Sequence, residues 1–230
     1  MILLAIDTSG KNGSIALARV PDATRVRASR ASLEILEVIP LAGGTFSAQL
    51  IPQIAALLSK HGFTKQGIGA FAVASGPGSF TGLRVGLAAI KALAEILHKP
   101  VAAVSLLEAV ARSAKSSGRV LAALDAGRGE IYLGDYEIAN KARMHREQLV
   151  RRDDFLAQAG ASLVVTPDPG LAQSARAARL NVEEVAPPAS DAIARLGWEK
   201  IQAGETIAPD ELEANYIRRS DAEIFAKTNP

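Results

Sequence analysis

Two stretches of the sequence share one layout: ILLAIDTSGKNGSIALARV at residues 2–20 and VLAALDAGRGEIYLGDYEI at residues 120–138. In each stretch an apolar run ends at an aspartate, Asp7 or Asp125, and a small residue, a glycine-containing turn and a second apolar run follow. Apolar runs of this kind that are bounded by turn residues are typical of buried strands. Each stretch therefore predicts a β-hairpin, and the half-chain spacing of the two aspartates indicates a duplication.

The elements that follow each hairpin also correspond. After the first hairpin, the hydrophobic pattern predicts a strand at 33–41, a helix at 47–60, a strand at 69–75 and a helix at 80–97. After the second, it predicts a strand at 144–150, a helix from Asp153, a strand at 162–166 and a helix at 191–203. Hairpins followed by helix-linked strands require a mixed sheet with helices on its faces.

This order of elements resembles one half of the actin/Hsp70/sugar-kinase (ASKHA) architecture, which has a ribonuclease-H-like core. We therefore expect an α/β protein with a duplicated ribonuclease-H-like fold, in which two mixed sheets are flanked by helices. The first actin-like half would span residues 1–105 and the second residues 106–230, and a C-terminal segment would be able to pack back on the first half.

The composition is that of a globular protein, because 48% of the 230 residues are hydrophobic and 22% are charged. The absence of cysteine excludes disulfides and thiolate sites and favours a reducing compartment. Met1 is followed directly by an apolar strand without a signal-peptide pattern. The longest apolar-leaning run contains Lys91 and Glu95 and is too short to span a bilayer. We expect a cytoplasmic protein that does not bind a membrane.

The charge pattern gives little indication of a nucleic-acid-binding face. The formal net charge is +2, and the arginines lie in small groups along the chain. A stand-alone nucleic-acid binder usually has a basic face with stacking aromatics. The pattern favours a solvated surface, although an auxiliary contact with RNA stays open. Glu130 and Asp135, on the second predicted hairpin, are also interpreted as surface residues.

A glycine-rich loop, VASGPGSFTGLRVG at residues 73–86, lies between a predicted strand and a predicted helix. This context can bind a phosphate, but the loop lacks the Gly-Lys-Ser/Thr of a P-loop and the dinucleotide fingerprint. The second interpretation, which we favour, is backbone shaping. Residues 76–78 would turn the chain, and Ser79 or Thr81 would cap the helix. A strip of small residues would then admit another helix closely, at Gly82, Gly86 and Ala89.

The candidate phosphate-facing groups are Asp7, Thr8 and Ser9 on the first hairpin and Asp125 on the second. In this architecture, aspartates at these positions usually face a phosphate or its metal ion. The alternative is that they only end strands and cap turns, as such residues commonly do. The three histidines are isolated, with no His-x-x-x-His pair, so the sequence predicts no metal site.

Five motifs resemble the TsaB family, formerly called YeaZ: ILLAIDTSG at 2–10, GPGSFTGLRVGLAAIKALA at 76–94, VSLLEAVA at 104–111, LDAGRGEIYLGDY at 124–136 and NYIRRSDAE at 215–223. The resemblance spans nearly the whole chain, from Ile2 to about Glu223. It implies a bacterial protein needed to make threonylcarbamoyladenosine in tRNA. In this family picture TsaB is a non-catalytic relative of the TsaD transferase. The older glycoprotease label would require metal ligands that this sequence lacks.

The resemblance also implies partners. TsaB would form a heterodimer with TsaD, TsaE would supply ATPase activity, and tRNA would be bound through the complex. By analogy, the helices at 47–60 and 80–97 would form the interface with TsaD, and the chain could form a homodimer in isolation. The interface residues predicted in this way are Leu50, Ile51, Ile54, Gly82, Leu83, Gly86, Leu87, Ala89 and Ile90.

Two points stay open on the sequence alone. The sequence predicts no cofactor of its own, but weak or interface-shared binding of ATP or ADP stays open. An actin-like ATPase or phosphotransferase that uses Asp7 and Asp125 is the alternative function. The chain also departs from the family at Phe46, because members often have histidine there, and this puts any general role of that histidine in doubt.

Overall fold

The computed structural model describes residues 1–20 and 33–218, which form ten strands and six α-helices. The strands are β1 (Ile2–Asp7), β2 (Gly13–Arg19), β3 (Glu34–Leu41), β4 (Ile68–Gly76), β5 (Val101–Ser105), β6 (Gly118–Gly127), β7 (Glu130–Ile138), β8 (Ala142–Arg151), β9 (Leu163–Thr166) and β10 (Asn181–Glu184). The helices are α1 (Phe46–Lys60), α2 (Phe80–Leu97), α3 (Leu106–Ala111), α4 (Arg152–Ala159), α5 (Pro169–Ala177) and α6 (Ser190–Gln202).

The first compact unit comprises Met1–Val104 and Ala189–Ala214. Its sheet has the order β3-β2-β1-β4-β5, with β1 antiparallel to β2 and parallel to β4. On one face, α1 and α2 pack over a core that includes Leu4, Ile6 and Phe71. On the other face α6 lies against β1, β2 and β4. Its approach requires glycine, because a Cβ at Gly197 would lie 2.3 Å from the Cβ of Ala72.

The second compact unit comprises Ser105–Pro188 and the described residues 215–218. Its sheet has the order β10-β9-β6-β7-β8, with β6 antiparallel to β7 and parallel to β9. The two faces have separate apolar cores. Leu107 of α3 packs with Tyr136 on one face, and Phe155 of α4 and Leu171 of α5 pack with Leu133 on the other.

Glu147 on β8 connects four parts of the second unit. Its carboxylate accepts hydrogen bonds from the hydroxyls of Ser105 and Tyr136, and from Nδ2 of Asn215 at 2.6 Å. The Tyr136 side chain is buried, and this burial together with the neighbouring carboxylate raises the pKa of its phenol. One carboxylate thus holds β7, β8, the start of α3 and the segment around Asn215 together.

The architecture confirms the predicted fold class: two mixed sheets flanked by helices, each built around one of the two predicted hairpins. The predicted helix cap at Ser79 is also confirmed, because its Oγ accepts from the Gly82 amide at 3.2 Å. The interpretation of Asp135 as a surface residue is wrong, because this side chain is buried against Arg119. The sequence pattern did not predict β5, α3, α5 or β10. Residues 219–223 of the last family motif lie outside the described residues.

Candidate functional site

The glycine-rich loop of the first unit packs against its own first hairpin. After Gly76–Pro77, which is a cis peptide, the Ser79 amide donates to the Ser9 carbonyl at 2.7 Å. The Thr8 hydroxyl donates to the Gly82 carbonyl at 2.8 Å. The loop and the first turn of α2 are therefore bonded to residues 8 and 9, which are two of the candidate phosphate-facing residues.

The glycines make this contact possible. A Cβ at Gly82 would lie 2.1 Å from the Thr8 carbonyl oxygen, and a Cβ at Gly86 would lie 2.4 Å from Thr8 Oγ1. Atoms that are not bonded to each other do not approach this closely, so a side chain at either position would force Thr8 or α2 to shift. The expectation that this strip admits a partner helix is thus corrected: Gly82 and Gly86 admit the chain's own hairpin.

Asp7 is buried at the end of β1, with 6% of its surface exposed. Its Oδ1 accepts from the Ser9 amide at 2.8 Å and from the Ser9 hydroxyl at 2.6 Å. Burial raises the pKa of the Asp7 carboxyl, and the two bonds from Ser9 oppose that shift. Through this oxygen the carboxylate is bonded within the turn that carries it, as in a structural turn.

The corresponding hairpin of the second unit is organised differently. Asp125 is exposed, and its carboxylate accepts from the Gly127 amide at 3.0 Å. Arg218 contacts the same hairpin: its guanidinium donates to the Ala126 carbonyl at 3.0 Å and lies 3.2 Å from a carboxylate oxygen of Glu130. Within the described residues, Arg218 therefore holds the turn beside Asp125 and not the Asp125 carboxylate itself.

Most of the predicted interface residues lie in the core of the first unit. Ile51 is exposed over 51% of its surface and Ala89 is half-buried. The remaining seven are buried: Leu50, Ile54, Gly82, Leu83, Gly86, Leu87 and Ile90. The prediction is corrected for these seven, because the stronger apolar stripe of each helix covers the sheet.

The outward sides of the same helices carry a second, weaker apolar stripe. In α1 the exposed residues include Ala48, Ile51, Pro52 and Ala55, and no charged residue precedes Lys60. In α2 the exposed Arg84 lies between Phe80 and Ala88 in the outward row, and its guanidinium carbon is 3.6 Å from the centre of the Phe80 ring. The small or apolar exposed residues of α2 include Phe80, Ala88, Ala92 and Ile96, the last with 68% of its surface exposed. We call these eight small or apolar residues the outer face of α1 and α2. The sequence signal for them is the helical spacing of small residues opposite the buried stripe.

A cleft of about 370 Å³ opens beside the first turns of α1 and α2, and its lining includes Lys11, Ser47, Ser79 and Val85. Phe46 also lines this cleft and is itself largely buried, with its ring against Gly13, where a Cβ would lie 2.9 Å from the ring. The residue that stands at the family's frequent histidine is thus a core aromatic here, and it has no group that transfers a proton.

Metal-ligating side chains are scattered through residues 1–20 and 33–218. Within these ranges, no group of three or more histidine, aspartate or glutamate side chains is placed to hold a metal ion. In the same part of the chain, no helix has the length and apolar character needed to cross a membrane.

Known proteins are similar to this chain in sequence. The family model of TsaD, the tRNA N6-adenosine threonylcarbamoyltransferase, matches residues 38–179. The tRNA threonylcarbamoyladenosine biosynthesis protein TsaB of Bacillus subtilis is 35% identical over 141 residues, which is 61% of this chain and 57% of that relative. The protein of the same name from Escherichia coli is 29% identical over 190 residues, covering 76% of this chain and 81% of the relative. The match thus spans little more than half the length of the Bacillus subtilis relative.

A solved structure shows the same fold. YeaZ from Pseudomonas aeruginosa aligns with a TM-score of 0.71 at 24% identity, and the alignment covers 94% of this chain and 99% of that chain. The duplicated, two-sheet arrangement described above is therefore shared over nearly the full length of both chains.

Proposed function

Since the chain belongs to the TsaB (YeaZ) family within the TsaD-type proteins, we propose that it is a non-catalytic subunit of the tRNA threonylcarbamoyladenosine-modifying complex. It binds TsaD through the outer face of α1 and α2 and activates that transferase. TsaD carries out the transfer to tRNA, and TsaE supplies ATPase activity. Family membership supports the role in this biosynthesis. The outer face of α1 and α2 supports the binding of TsaD, and the contacts of Asp7 support a non-catalytic role.

The observation that carries the proposal is the outer face itself. Its eight residues are small or apolar, and Ile51 and Ile96 are each more than half exposed. A contiguous apolar patch on the surface of a folded unit is a common mark of an interaction site. Small residues such as Ala48 and Ala88 let a partner helix approach closely, and the uncharged course of α1 removes the cost of burying a charge there.

The contacts of Asp7 support a non-catalytic role. A catalytic carboxylate must reach the reacting atoms or their metal ion. Asp7 instead bonds to Ser9, and the loop that would have to open for a ligand is bonded to Ser9 through Ser79. The actin-like ATPase alternative would require this turn to open. Magnesium-dependent ATP binding by the isolated chain that Asp7→Ala abolishes would restore that alternative.

The experiment that tests the proposal places a charge on the outer face. Ile51→Glu and Ala88→Glu should each prevent pairing with TsaD of the same organism, since an unpaired buried charge costs about 3–5 kcal/mol. This corresponds to a Kd raised by roughly 100-fold or more. Pairing is measured by size-exclusion chromatography and calorimetric titration, and tRNA modification is assayed on the same samples.

Ala203→Glu is the matched control, because Ala203 is exposed and follows α6, on the opposite face of the sheet. It should leave pairing and modification unchanged. All three variants should keep the melting temperature of the parent. If Ile51→Glu and Ala88→Glu pair with TsaD as tightly as Ala203→Glu does, the outer face is not the interface and the proposal fails in its present form.

A further inference from the structure

One face of the second unit's sheet is covered over only part of its length. Leu121, Ile131 and Leu133 on this face pack beneath α4 and α5. Toward the β7–β8 turn the same face continues as polar residues, among them the exposed Arg119, Arg143 and Arg146. We call this stretch the bare end of the sheet.

The strand register places these arginines on one side. Arg119 on β6 is paired with Glu137 on β7, which is paired with Arg143 on β8. Asp135 is paired with Leu121 on β6 and with Arg146 on β8. Residues paired across neighbouring strands project from the same face of a sheet. With strands about 4.8 Å apart, Arg119 and Arg143 lie roughly 10 Å from each other across the face.

In the described part of the chain, two acidic residues lie at this end of the face, the buried Asp135 and the exposed Glu137, and Glu137 stands between Arg119 and Arg143 in the strand register. Asp135 is neutralised within the unit. Both carboxylate oxygens of Asp135 accept from Arg119, at 3.0 and 2.7 Å. This pairing lowers the pKa of Asp135, and the positive charges of His145 and Arg146 lower it further. Asp135 is buried while 61% of the Arg119 side chain remains exposed. The carboxylate therefore fixes the arginine in place, and the positive side of the pair faces water.

A further cation lies beside the bare end. Lys141 is exposed in the turn that precedes β8, and His145 is exposed on β8 itself. Met144 is the exposed large apolar residue of β8, but it is paired with Tyr136 and so lies on the opposite face. Among the described residues, the bare end therefore presents three guanidinium groups and one ammonium group around the single exposed carboxylate of Glu137, without an apolar anchor.

The geometry points to an RNA-binding surface: the bare end contacts the phosphate backbone of the tRNA that the complex modifies, through Arg119, Lys141, Arg143 and Arg146. This inference rests on the proposed function. Separated cations on a flat polar face suit a polyanion, which several of them contact at once through its phosphates. A protein partner would require apolar anchors at the centre of its interface, and the described part of this face offers none. Lys141, Arg143 and Arg146 are close together in sequence, and the sheet brings Arg119 beside them.

The test uses the double variant Arg143→Glu/Arg146→Glu in complex with TsaD of the same organism. Arg119 is left intact, because its loss would leave the buried Asp135 unpaired. Arg151→Glu/Arg179→Glu carries the same charge change at exposed positions of the second unit away from the bare end. Binding of tRNA is measured by fluorescence anisotropy between 50 and 200 mM salt, and modification is assayed as a function of tRNA concentration.

The double variant should weaken tRNA binding by roughly tenfold or more. In a plot of the logarithm of the association constant for tRNA against the logarithm of the salt concentration, the slope should fall in magnitude by about two. The reason is that each of the two arginines neutralises one phosphate in the parent. The KM for tRNA should rise while kcat and pairing with TsaD stay unchanged. Equal affinity and equal slope for the double variant and its control would overturn the inference. Loss of TsaD pairing alone would also overturn it and assign the bare end to a protein partner.

The two proposals fail in different ways. If the parent chain does not support modification, but its affinity for tRNA depends on salt and is lost in the double variant, the proposed function fails and the RNA-binding surface stands. If the parent supports modification and the double variant does so with an unchanged KM for tRNA, the proposed function stands and the RNA-binding surface is wrong.

Discussion

The glycine at position 86 is compatible with two kinds of packing for α2. The space beside Gly86 could be filled by a helix of a partner protein or by another part of the same chain, and the sequence does not distinguish between them. In the structure the space is filled by Thr8 of the first hairpin. A substitution here is therefore expected to act on the stability of the unit, and only through stability on pairing with a partner.

Gly86→Ala should destabilise the protein even though alanine is the better helix former by about 1 kcal/mol. The added Cβ would lie 2.4 Å from Thr8 Oγ1, so that Thr8 must give up its bond to Gly82 or α2 must move. Overpacking of this kind typically costs about 1–3 kcal/mol, which should lower the melting temperature. Gly67→Ala is the control, because a Cβ there meets no atom within 4 Å. A Gly86→Ala protein that melts above the parent would contradict the described packing.

Asp7 gives a prediction that depends on pH. Its folded-state pKa is raised above 3.8, so the folded chain binds a proton more readily than the unfolded chain. As the pH rises from about 3.8 through the folded pKa, this residue makes the protein progressively less stable. Asp7→Asn keeps an oxygen that accepts from Ser9 but cannot ionise. The variant should melt at a higher temperature than the parent at pH 7, and the difference should shrink toward pH 4.

Thermal melting across this pH range measures the effect, with Asp125→Asn as the control because that carboxylate is exposed to water. Asp7→Asn should also support tRNA modification with TsaD at the level of the parent. If it melts lower than the parent at pH 7, burial is not the dominant influence on this carboxyl. If it melts as expected but fails in modification, Asp7 has a role beyond the turn.

At the scale of elements, α1 and α2 each carry two stripes with different tasks. The buried stripe of α1 contains Leu50, Ile54 and Leu57, whose larger side chains fill the space above the sheet. The outward stripe has mostly small residues. The sequence pattern identifies the most hydrophobic face of a helix, and the face with the larger side chains is the more hydrophobic of the two. For this reason the predicted interface consisted mostly of core residues, and Ile51 was the only member found fully on the outside of the described helices.

The long elements were predictable because their patterns repeat. Both hairpins, α1, α2 and α6 each have enough residues for a period of two or 3.6 to stand out. The six residues of α3 and the four of β10 give at most two turns or two alternations, so their periodicity is not readable. The contact between Thr8 and Gly82 spans 74 positions in sequence, and neither residue's neighbours indicate it. The bonds between the first hairpin and the glycine-rich loop could therefore be identified only from the structure.

For the whole molecule, the order of the chain matters because the first unit is discontinuous. Residues 1–104 provide the sheet with α1 and α2, and residues 189–214 provide α6. Without α6, one face of the sheet would expose Leu3, Ala5 and Ala72, which are fully buried in the structure. The residues between these two parts of the sequence belong to the second unit.

A fragment of residues 1–104 should therefore lack a cooperative thermal transition, whereas the same fragment joined by a flexible Gly/Ser linker to residues 189–214 should regain one. The control is the linked fragment with Ile193→Asp, which places a charge at a fully buried position of α6. Circular dichroism during heating provides the measurement. Cooperative melting of residues 1–104 alone, near the midpoint of the linked fragment, would show that α6 is dispensable for this unit.

This discontinuity also determines the order in which the parts of the first unit are synthesised during translation. The ribosome releases the strands of the first sheet early, but the helix that covers one side of them emerges only after the second unit has been translated. At about 5–20 residues per second, the interval is on the order of ten seconds. For that time an apolar sheet surface is available to other nascent chains. Yield during expression should consequently depend on translation speed and on chaperones that shield the unfinished unit, even when the finished protein is stable.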